Sequence, residues 1–265
     1  MNMRRSGHRT VRFGPALTLA LALAFAWAGH VSAETLVGSN IDTRTVVLLK
    51  APEAEAQKWL TAPWQVSGIP GGPGKGANLA LVFIDRLLNE DAAGKPARGG
   101  TDRMLVVVLW ARHPQTGDSG LNVVRIYTAN PESVPGPYRN SVQASLRFEQ
   151  TLTATGIEPA TISERWDVRD TAGGGVELQA QYLRTVPSRA RRDQRLYGGP
   201  DPSFMRIYRL DEGVNLLKSV PAGVDRLQRH RLGVTMAELR GLFDGSEQLI
   251  AVTALPWYAR QTLLP

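Results

Sequence analysis

Residues 136–148 combine hydrogen-bonding side chains with an apolar face. Tyr138 and Asn140 have the same parity as the apolar residues at alternate positions from Val142 to Phe148. In a strand, residues of one parity lie on one face, because successive side chains point to opposite sides. The pattern predicts a strand that runs from the mouth of a pocket into a core, with a phenol and an amide at the mouth. An ordinary half-buried strand after a turn is the alternative.

A protease motif is present only in part, and metal ligands are scarce. Gly117-Asp118-Ser119-Gly120 is similar to the nucleophile turn of trypsin-like proteases, but Leu121 stands where another glycine is expected. Beyond residue 33 the chain has two histidines, His113 and His230, and it contains no cysteine. These counts disfavour both a Ser-His-Asp protease and a metal site. We expect no metal and no cofactor.

Residues 1–33 have the pattern of a signal peptide. Four arginines precede an apolar run at 16–28, and Val31-Ser32-Ala33 supplies the small residues that signal peptidase accepts. The apolar run is shorter than the roughly 20 residues that span a bilayer. We therefore predict cleavage after Ala33 and a periplasmic or secreted bacterial protein with no stable membrane insertion. A retained membrane anchor is the alternative.

The charge beyond this segment gives no reason to expect a nucleic-acid partner. The whole chain has 31 basic and 24 acidic residues. The segment holds four of the basic residues and none of the acidic ones, so 27 and 24 remain, a net charge of +3. A mildly basic chain of this kind fits a small organic ligand or substrate as its partner. A homo-oligomer is left open.

Turn signals at short intervals separate strand candidates that are rich in β-branched residues and leucine. The predicted strands are 44–50, 79–88, 104–110, 121–128, 161–168, 176–184, 204–210, 248–254 and 257–263. The apolar run at 79–88 is nearly continuous, so a helix is the alternative there. Many short strands favour a mainly antiparallel sheet folded into a barrel or a sandwich.

Two short helices and one polar loop complete the expected pattern. The first helix, at 53–60, follows Pro52. The second begins at Thr235, whose spacing to Glu238 is that of a capping box, and ends at Asp244-Gly245. Residues 184–203 contain clustered arginines and predict a solvated loop, with an anion-steering rim as the alternative.

Two short motifs carry a resemblance to a known family. Gly136-x-Tyr138-x-Asn140-Ser141-x-Gln143-Ala144 resembles a strand of the acetoacetate decarboxylase family, and Pro256-Trp257-Tyr258-Ala259-Arg260 resembles the closing strand of bacterial members of that superfamily. The resemblance implies a mainly β (α+β) fold, an antiparallel β-cone or barrel of the acetoacetate decarboxylase-like type with a few short helices. It also implies that residues 34–265 form this domain.

The resemblance also shows where the family's chemistry is altered. Members form a Schiff base on one of two adjacent lysines that follow a proline, and the matching step here is Glu158-Pro159-Ala160-Thr161, without a lysine. The family's active-site glutamate is replaced by Asn140. Arginine cannot take over the lysine's role, because its guanidinium stays protonated and is not nucleophilic. We therefore expect no Schiff-base decarboxylation.

Four residues remain as candidate ligand-binding groups, namely Arg44, Tyr138, Asn140 and Glu158. The resemblance places Arg44 near the family's pocket arginine and Glu158 near the lost lysine. An arginine and an amide at an apolar cavity suit a small, partly apolar carboxylate or keto ligand. The alternative is an enzyme of lyase, hydratase or hydrolase type that uses Glu158, Tyr138 or Asn140. No catalytic residue is assigned, and all four residues can also be ordinary surface or strand-end positions.

Overall fold

The computed structural model describes residues 34–97, 101–131, 134, 138, 140–198 and 201–265. Within them, Thr35–Pro265 forms one compact unit. The predicted signal peptide, residues 1–33, lies outside the described residues, so cleavage after Ala33 stays a prediction. Gly136, Pro137 and Arg139 lie outside them as well.

The described part of the chain is built almost entirely from strands. One α-helix, α1 (Glu53–Gln57), and short 3-10 helices at Gly72–Gly74 and Ala237–Leu239 lie between them. The strands are β1 (Thr35–Lys50), β2 (Gln65–Val66), β3 (Leu79–Asp91), β4 (Asp102–Arg112), β5 (Ser119–Thr128), β6 (Ser141–Thr153), β7 (Ala160–Asp170), β8 (Gly175–Arg184), β9 (Ser188–Gly198), β10 (Asp201–Ser219), β11 (Val224–Asp225), β12 (Leu227–Val234) and β13 (Gln248–Leu264).

Seven of these strands pair in a closed ring. The order around the ring is β5, β9, β10, β13, β1, β3 and β4, and β4 pairs with β5 again. Only the short β5–β9 contact is parallel, and the other six pairings are antiparallel. A closed ring has an inner face, so alternate residues of each strand point into a lumen.

A second sheet covers one side of this ring. It consists of β6, β7, β8 and β12 in antiparallel pairing, and the first residues of β6 join it to β5 through a short parallel contact. Trp166 of β7 lies between the two layers, 5.6 Å from the ring of Phe83 on β3 and stacked at 4.1 Å on Phe148 of β6. The main apolar core therefore lies between the ring and the second sheet.

Strand β4 shows why these segments form buried strands. Leu105, Val107 and Leu109 belong to the core between the layers, whereas Met104 and Val106 belong to a second cluster on the lumen side. A strand that is buried on both faces needs a continuous apolar run. The same holds for the run at 79–88, which is strand β3, so the helical alternative is wrong. The predicted mainly β fold with a few short helices is confirmed.

The polar segment at 184–203 is not the solvated loop that its composition predicted. It contains β9, which pairs along its length with β10. Its outward arginines are paired with acidic residues, as in Arg189 with Asp211 and Arg195 with Asp118. The alternation of apolar and polar residues is absent because one face of β9 is solvated and the other faces the polar side of the lumen.

The predicted capping box at Thr235 is also wrong. Thr235 Oγ1 accepts a hydrogen bond from the backbone of Gly175 at 2.9 Å, and the carboxylate of Glu238 binds Tyr127 and Arg125. Both side chains are engaged in tertiary contacts, and only the 3-10 helix Ala237–Leu239 forms. The two closing strands are one long strand, β13, whose register shifts near its middle.

Tyr138 and the alternate residues from Val142 to Phe148 do not form one continuous face. Strand β6 begins at Ser141, after Tyr138. Tyr138 belongs to the cluster on the lumen side, whereas Ala144 belongs to the core between the layers. The two halves of the predicted face therefore belong to different apolar clusters, one on the lumen side and one between the layers. Among the described residues, no helix is long and apolar enough to cross a membrane.

Candidate functional site

The lumen of the ring is a cavity of about 150 Å³ to which all seven strands contribute side chains. One half is apolar and is formed mainly by β3, β4 and β5, with the lining residues Val82, Ile84, Met104, Val106, Val108, Leu121, Val123 and Ile126. The other half is formed mainly by β1, β9, β10 and β13 and carries tyrosines and charged groups. Such a cavity can hold one small molecule with an apolar end and a polar end.

Three arginines of the lumen are paired with buried carboxylates. Arg44 binds Asp42 through Nε at 2.9 Å and through Nη2. Arg192 of β9 reaches Glu212 of β10 at 3.0 Å. The third pair joins Arg86 of β3 and Asp102 of β4, with 3.4 Å between Nε and Oδ1. Within each pair, the guanidinium offsets the charge of a carboxylate that is buried away from water.

Arg260 is the fourth arginine of the lumen and forms no ion pair with any described residue. Its guanidinium carbon lies 4.1 Å from the ring centroid of Tyr208, and its Nε has no hydrogen-bond partner. Four guanidiniums therefore face three carboxylates, which leaves one positive charge in the cavity. This crowding affects Arg86, whose pKa is lowered by burial and further by the charges of Arg260 and Arg44, against the attraction of Asp102.

Two tyrosines place hydroxyl groups beside this charge. The hydroxyl of Tyr138 is hydrogen-bonded to the hydroxyl of Tyr208, and the ring of Tyr138 makes an edge contact with Phe204 at 4.8 Å. Burial, and after it the contact with Tyr208, raises the pKa of Tyr138 well above its ordinary value. The phenol therefore stays protonated, and whichever of the two hydroxyls does not donate to the other can donate a hydrogen bond to an anion.

The structure brings two of the four predicted site residues to the lumen, namely Arg44 and Tyr138. Asn140 is buried but does not line the cavity, and its Nδ2 donates to the backbone oxygen of Val123 at 2.7 Å. Glu158 is exposed in the turn before β7 and borders a separate surface depression with Trp257. It does not lie near the other three.

No lysine lines the lumen, and all five lysines of the chain are within the described residues. Lys218 of β10 forms an ion pair with Asp225. At the step that resembles the family's lysine pair, Ala160 is buried at the start of β7. No amine is therefore placed to react with a ligand in the lumen.

The sequence did not identify most of the polar half of the lumen. Arg260 lies in the Pro256–Arg260 motif, and its parity with Tyr258 is a signal that it faces inward. Glu212 and Arg192 gave no such signal, because Arg192 was assigned to a loop. Their pairing depends on β9 and β10 lying side by side, which periodicity alone does not show.

Solved structures share this fold at low sequence identity. An acetoacetate decarboxylase-like enzyme from Sphingomonas wittichii RW1 matches with a TM-score of 0.54 and 12% identity, over 87% of this chain and 93% of that one. The enduracididine biosynthesis enzyme MppR, solved in complex with pyruvate, matches with a TM-score of 0.50 and 11% identity, over 89% and 92%. No family model and no curated protein matches the sequence. The predicted resemblance is thus confirmed at the level of the fold.

Proposed function

We propose that this chain binds a small, partly apolar carboxylate or keto acid in the lumen of its ring, without forming a Schiff base. The observation that carries the proposal is the guanidinium of Arg260, which is inside the cavity and has no carboxylate partner among the described residues. Arg260 is partly buried, and the carboxylate charge that attracts it, Asp42, is already paired with Arg44. A bound carboxylate would supply the direct ion pair that Arg260 lacks. The ligand's carboxylate lies on Arg260 and accepts a hydrogen bond from whichever hydroxyl of the Tyr138–Tyr208 pair does not donate to the other.

The shape and size of the lumen support a short ligand of this class. The apolar half, including Val106 and Ile126, suits a methyl or short alkyl group. A cavity of about 150 Å³ accepts a molecule of roughly the size of benzene. Pyruvate falls within that limit, and MppR, a protein of the same fold, has been solved in complex with it.

The distribution of amines supports binding without Schiff-base chemistry. Condensation with a ketone needs an unprotonated lysine next to the ligand, and none of the five lysines lines the lumen. The enzyme alternative that relied on Glu158 gains nothing from the geometry, because Glu158 borders another depression. Tyr138 donates a proton poorly as an acid and is not ionised as a base, since its pKa is raised.

The proposal includes export of the protein to the periplasm or the medium. The basic, apolar and small-residue order of residues 1–33 supports it. Expression of the full chain in a bacterium, followed by fractionation and amino-terminal sequencing, tests this part by itself. We expect a soluble product that begins at Glu34. A chain that begins at Met1 and is found in the membrane pellet would contradict export. It would leave the proposed binding site in the lumen untouched.

Calorimetric titration of the protein from residue 34 onward with pyruvate and with propionate tests the binding site. We expect both anions to bind and uncharged propanol to bind far more weakly. Arg260→Gln should weaken pyruvate binding at least tenfold, the effect of losing about 1.4 kcal/mol. Arg195→Gln, which changes an exposed arginine of β9 that points away from the lumen, is the matched control and should leave binding unchanged. Equal binding by both variants would refute the proposed site.

A further inference from the structure

A second cavity of about 140 Å³ lies between the ring and the second sheet. Strands β1 and β13 separate it from the lumen, since Arg44 and Leu255 border both cavities. The side chain of Arg44 points into the lumen, where it binds Asp42. The neighbouring Thr45 points the other way and reaches the second sheet. The two cavities are therefore distinct sites on opposite faces of one wall.

Glu164 of β7 is the acidic group of this second cavity. Its side chain is buried, and Oε1 accepts a hydrogen bond from Thr45 Oγ1 at 2.6 Å. Tyr182 of β8 donates a longer and weaker bond of 3.5 Å to Oε2. Among the residues that the structure describes, no lysine or arginine forms an ion pair with Glu164.

A buried carboxylate that has donors but no cation is only partly compensated. Burial raises the pKa of Glu164, although hydrogen bonds from Thr45, Gln150 and Tyr182 act in the opposite direction. Burial is the larger effect because neutral donors cannot replace the solvation of a full charge. A cation placed beside Glu164 would compensate the part of its charge that these three donors leave uncompensated.

Aromatic rings form the wall next to this carboxylate. Phe148 and Trp166 stack at 4.1 Å, and both border the cavity together with Tyr182. A carboxylate beside aromatic rings is a combination that binds organic ammonium ions, through ion pairing and cation–π attraction. We propose that this cavity between the two sheets is a binding site for a small alkylammonium ion, with Glu164 as its counterion and Trp166 and Tyr182 as its walls.

The charged groups around the cavity set the expected strength of binding. Glu164 is contributed by β7, and Arg184, at the end of β8, is an exposed side chain at the border. The charge of Arg44 is paired on the far side of β1. Arg184 therefore repels an entering cation, in a way that salt weakens. Removal of Arg184 should strengthen binding, whereas removal of Glu164 should weaken it.

Titration with n-propylammonium chloride, followed by calorimetry at constant ionic strength, tests this proposal. We expect saturable binding that n-propanol, similar in shape but uncharged, does not reproduce. Glu164→Gln should weaken binding at least tenfold, and Arg184→Gln should strengthen it. Glu149→Gln removes an exposed carboxylate of the second sheet and should leave binding unchanged. Arg260→Gln should also leave it unchanged, so failure here and failure in the lumen are distinguishable.

A second measurement covers the case in which Glu164→Gln does not fold. In the unaltered protein, affinity for n-propylammonium should rise as pH increases through the raised pKa of Glu164, because the ionised carboxylate binds the cation. Affinity for pyruvate should not follow this dependence. Absence of propylammonium binding, equal binding of propanol, or equal affinity in Glu164→Gln would each overturn the proposal.

Discussion

The guanidinium of Arg260 lies over the ring of Tyr208, with 4.1 Å between its central carbon and the centroid of the ring. The two residues come from β13 and β10, which are adjacent in the ring of strands. An aromatic ring attracts a guanidinium but does not neutralise it, and Nε of Arg260 has no hydrogen-bond partner. Tyr208 thus holds a positive charge in position for an anion that is not part of the chain.

Arg260→Met should not destabilise the protein in the absence of ligand. The change removes a partly buried charge that forms no direct ion pair with any described residue, so we expect the free energy of unfolding to stay level or to increase by about 1 kcal/mol. Arg44→Met is the matched comparison, because it leaves the carboxylate of Asp42 buried without its partner. That variant should lose about 3–5 kcal/mol. Urea unfolding at pH 7 measures both, and equal losses would contradict the assignment of Arg260.

Asp42→Asn should weaken the fold and strengthen anion binding at the same time. Loss of the carboxylate leaves Arg44 without its ion pair, which we expect to lower the free energy of unfolding by about 3–5 kcal/mol. The lumen then carries a further positive charge, so pyruvate should bind more tightly and raise the unfolding midpoint more than in the unaltered protein. Asp193→Asn, in an exposed pair with Arg209, is the control and should change neither quantity. A midpoint that pyruvate does not raise further would argue against this charge balance.

Strands β3 and β4 were predicted from runs that are apolar on both faces, although the same pattern left a helix as the alternative for β3. Strands β7 and β8 were predicted as well, and there one face is buried and the other is more exposed. Strand β9 was missed because its inner face, with Arg192 and Gln194, borders the charged half of the lumen. The polar residues that β9 contributes to the lumen are therefore the reason that its sequence does not show the pattern of a strand.

The candidate site was predictable only where a motif marked it. Tyr138 and Arg44 were selected through a family resemblance, and both line the lumen. Arg260 was within a recognised motif but was not selected, because its importance depends on having no partner. The lack of an ion-pair partner depends on which strands lie side by side in the ring, and the spacing of residues in the sequence does not show this. Glu164 did have a signal, since it shares the buried parity of Ile162 and Trp166 in β7.

Glu164→Gln should flatten part of the pH dependence of stability. The pKa of Glu164 is raised above its ordinary value of 4.5 in the folded state. The folded protein therefore holds this proton more tightly than the unfolded chain does. The resulting stabilisation is complete below the unfolded pKa and is lost as pH rises through the folded pKa.

The difference between the variant and the unaltered protein isolates this effect from other titrating groups. Above pH 4.5, the free energy of unfolding should fall with rising pH more steeply in the unaltered protein than in Glu164→Gln. Urea unfolding at several pH values between 4 and 9 provides the measurement. Glu149→Gln, which alters an exposed carboxylate, should follow the unaltered protein. Parallel curves for Glu164→Gln would show that folding does not raise the pKa of Glu164.

Treatment with acetoacetate and borohydride should leave the lumen unmodified. Borohydride fixes an iminium irreversibly, so a lysine that condenses with the ketone would gain mass at one position. The five lysines lie outside the lumen, and the amine of Lys218 forms an ion pair with Asp225. We expect no adduct above the level found on surface lysines of an unrelated protein, and no release of carbon dioxide.

A lysine introduced into the lumen provides the positive control for that experiment. Val106→Lys places an amine in the apolar half of the cavity, where burial and the nearby arginines should lower its pKa and make it nucleophilic. Mass spectrometry should then locate a borohydride-dependent adduct at position 106, and Arg260→Gln in the same background should reduce it by weakening capture of the carboxylate. In the unaltered protein, an adduct at Lys218 together with decarboxylation that Lys218→Ala abolishes would contradict binding without Schiff-base chemistry. The keto acid would then react at Lys218, outside the lumen.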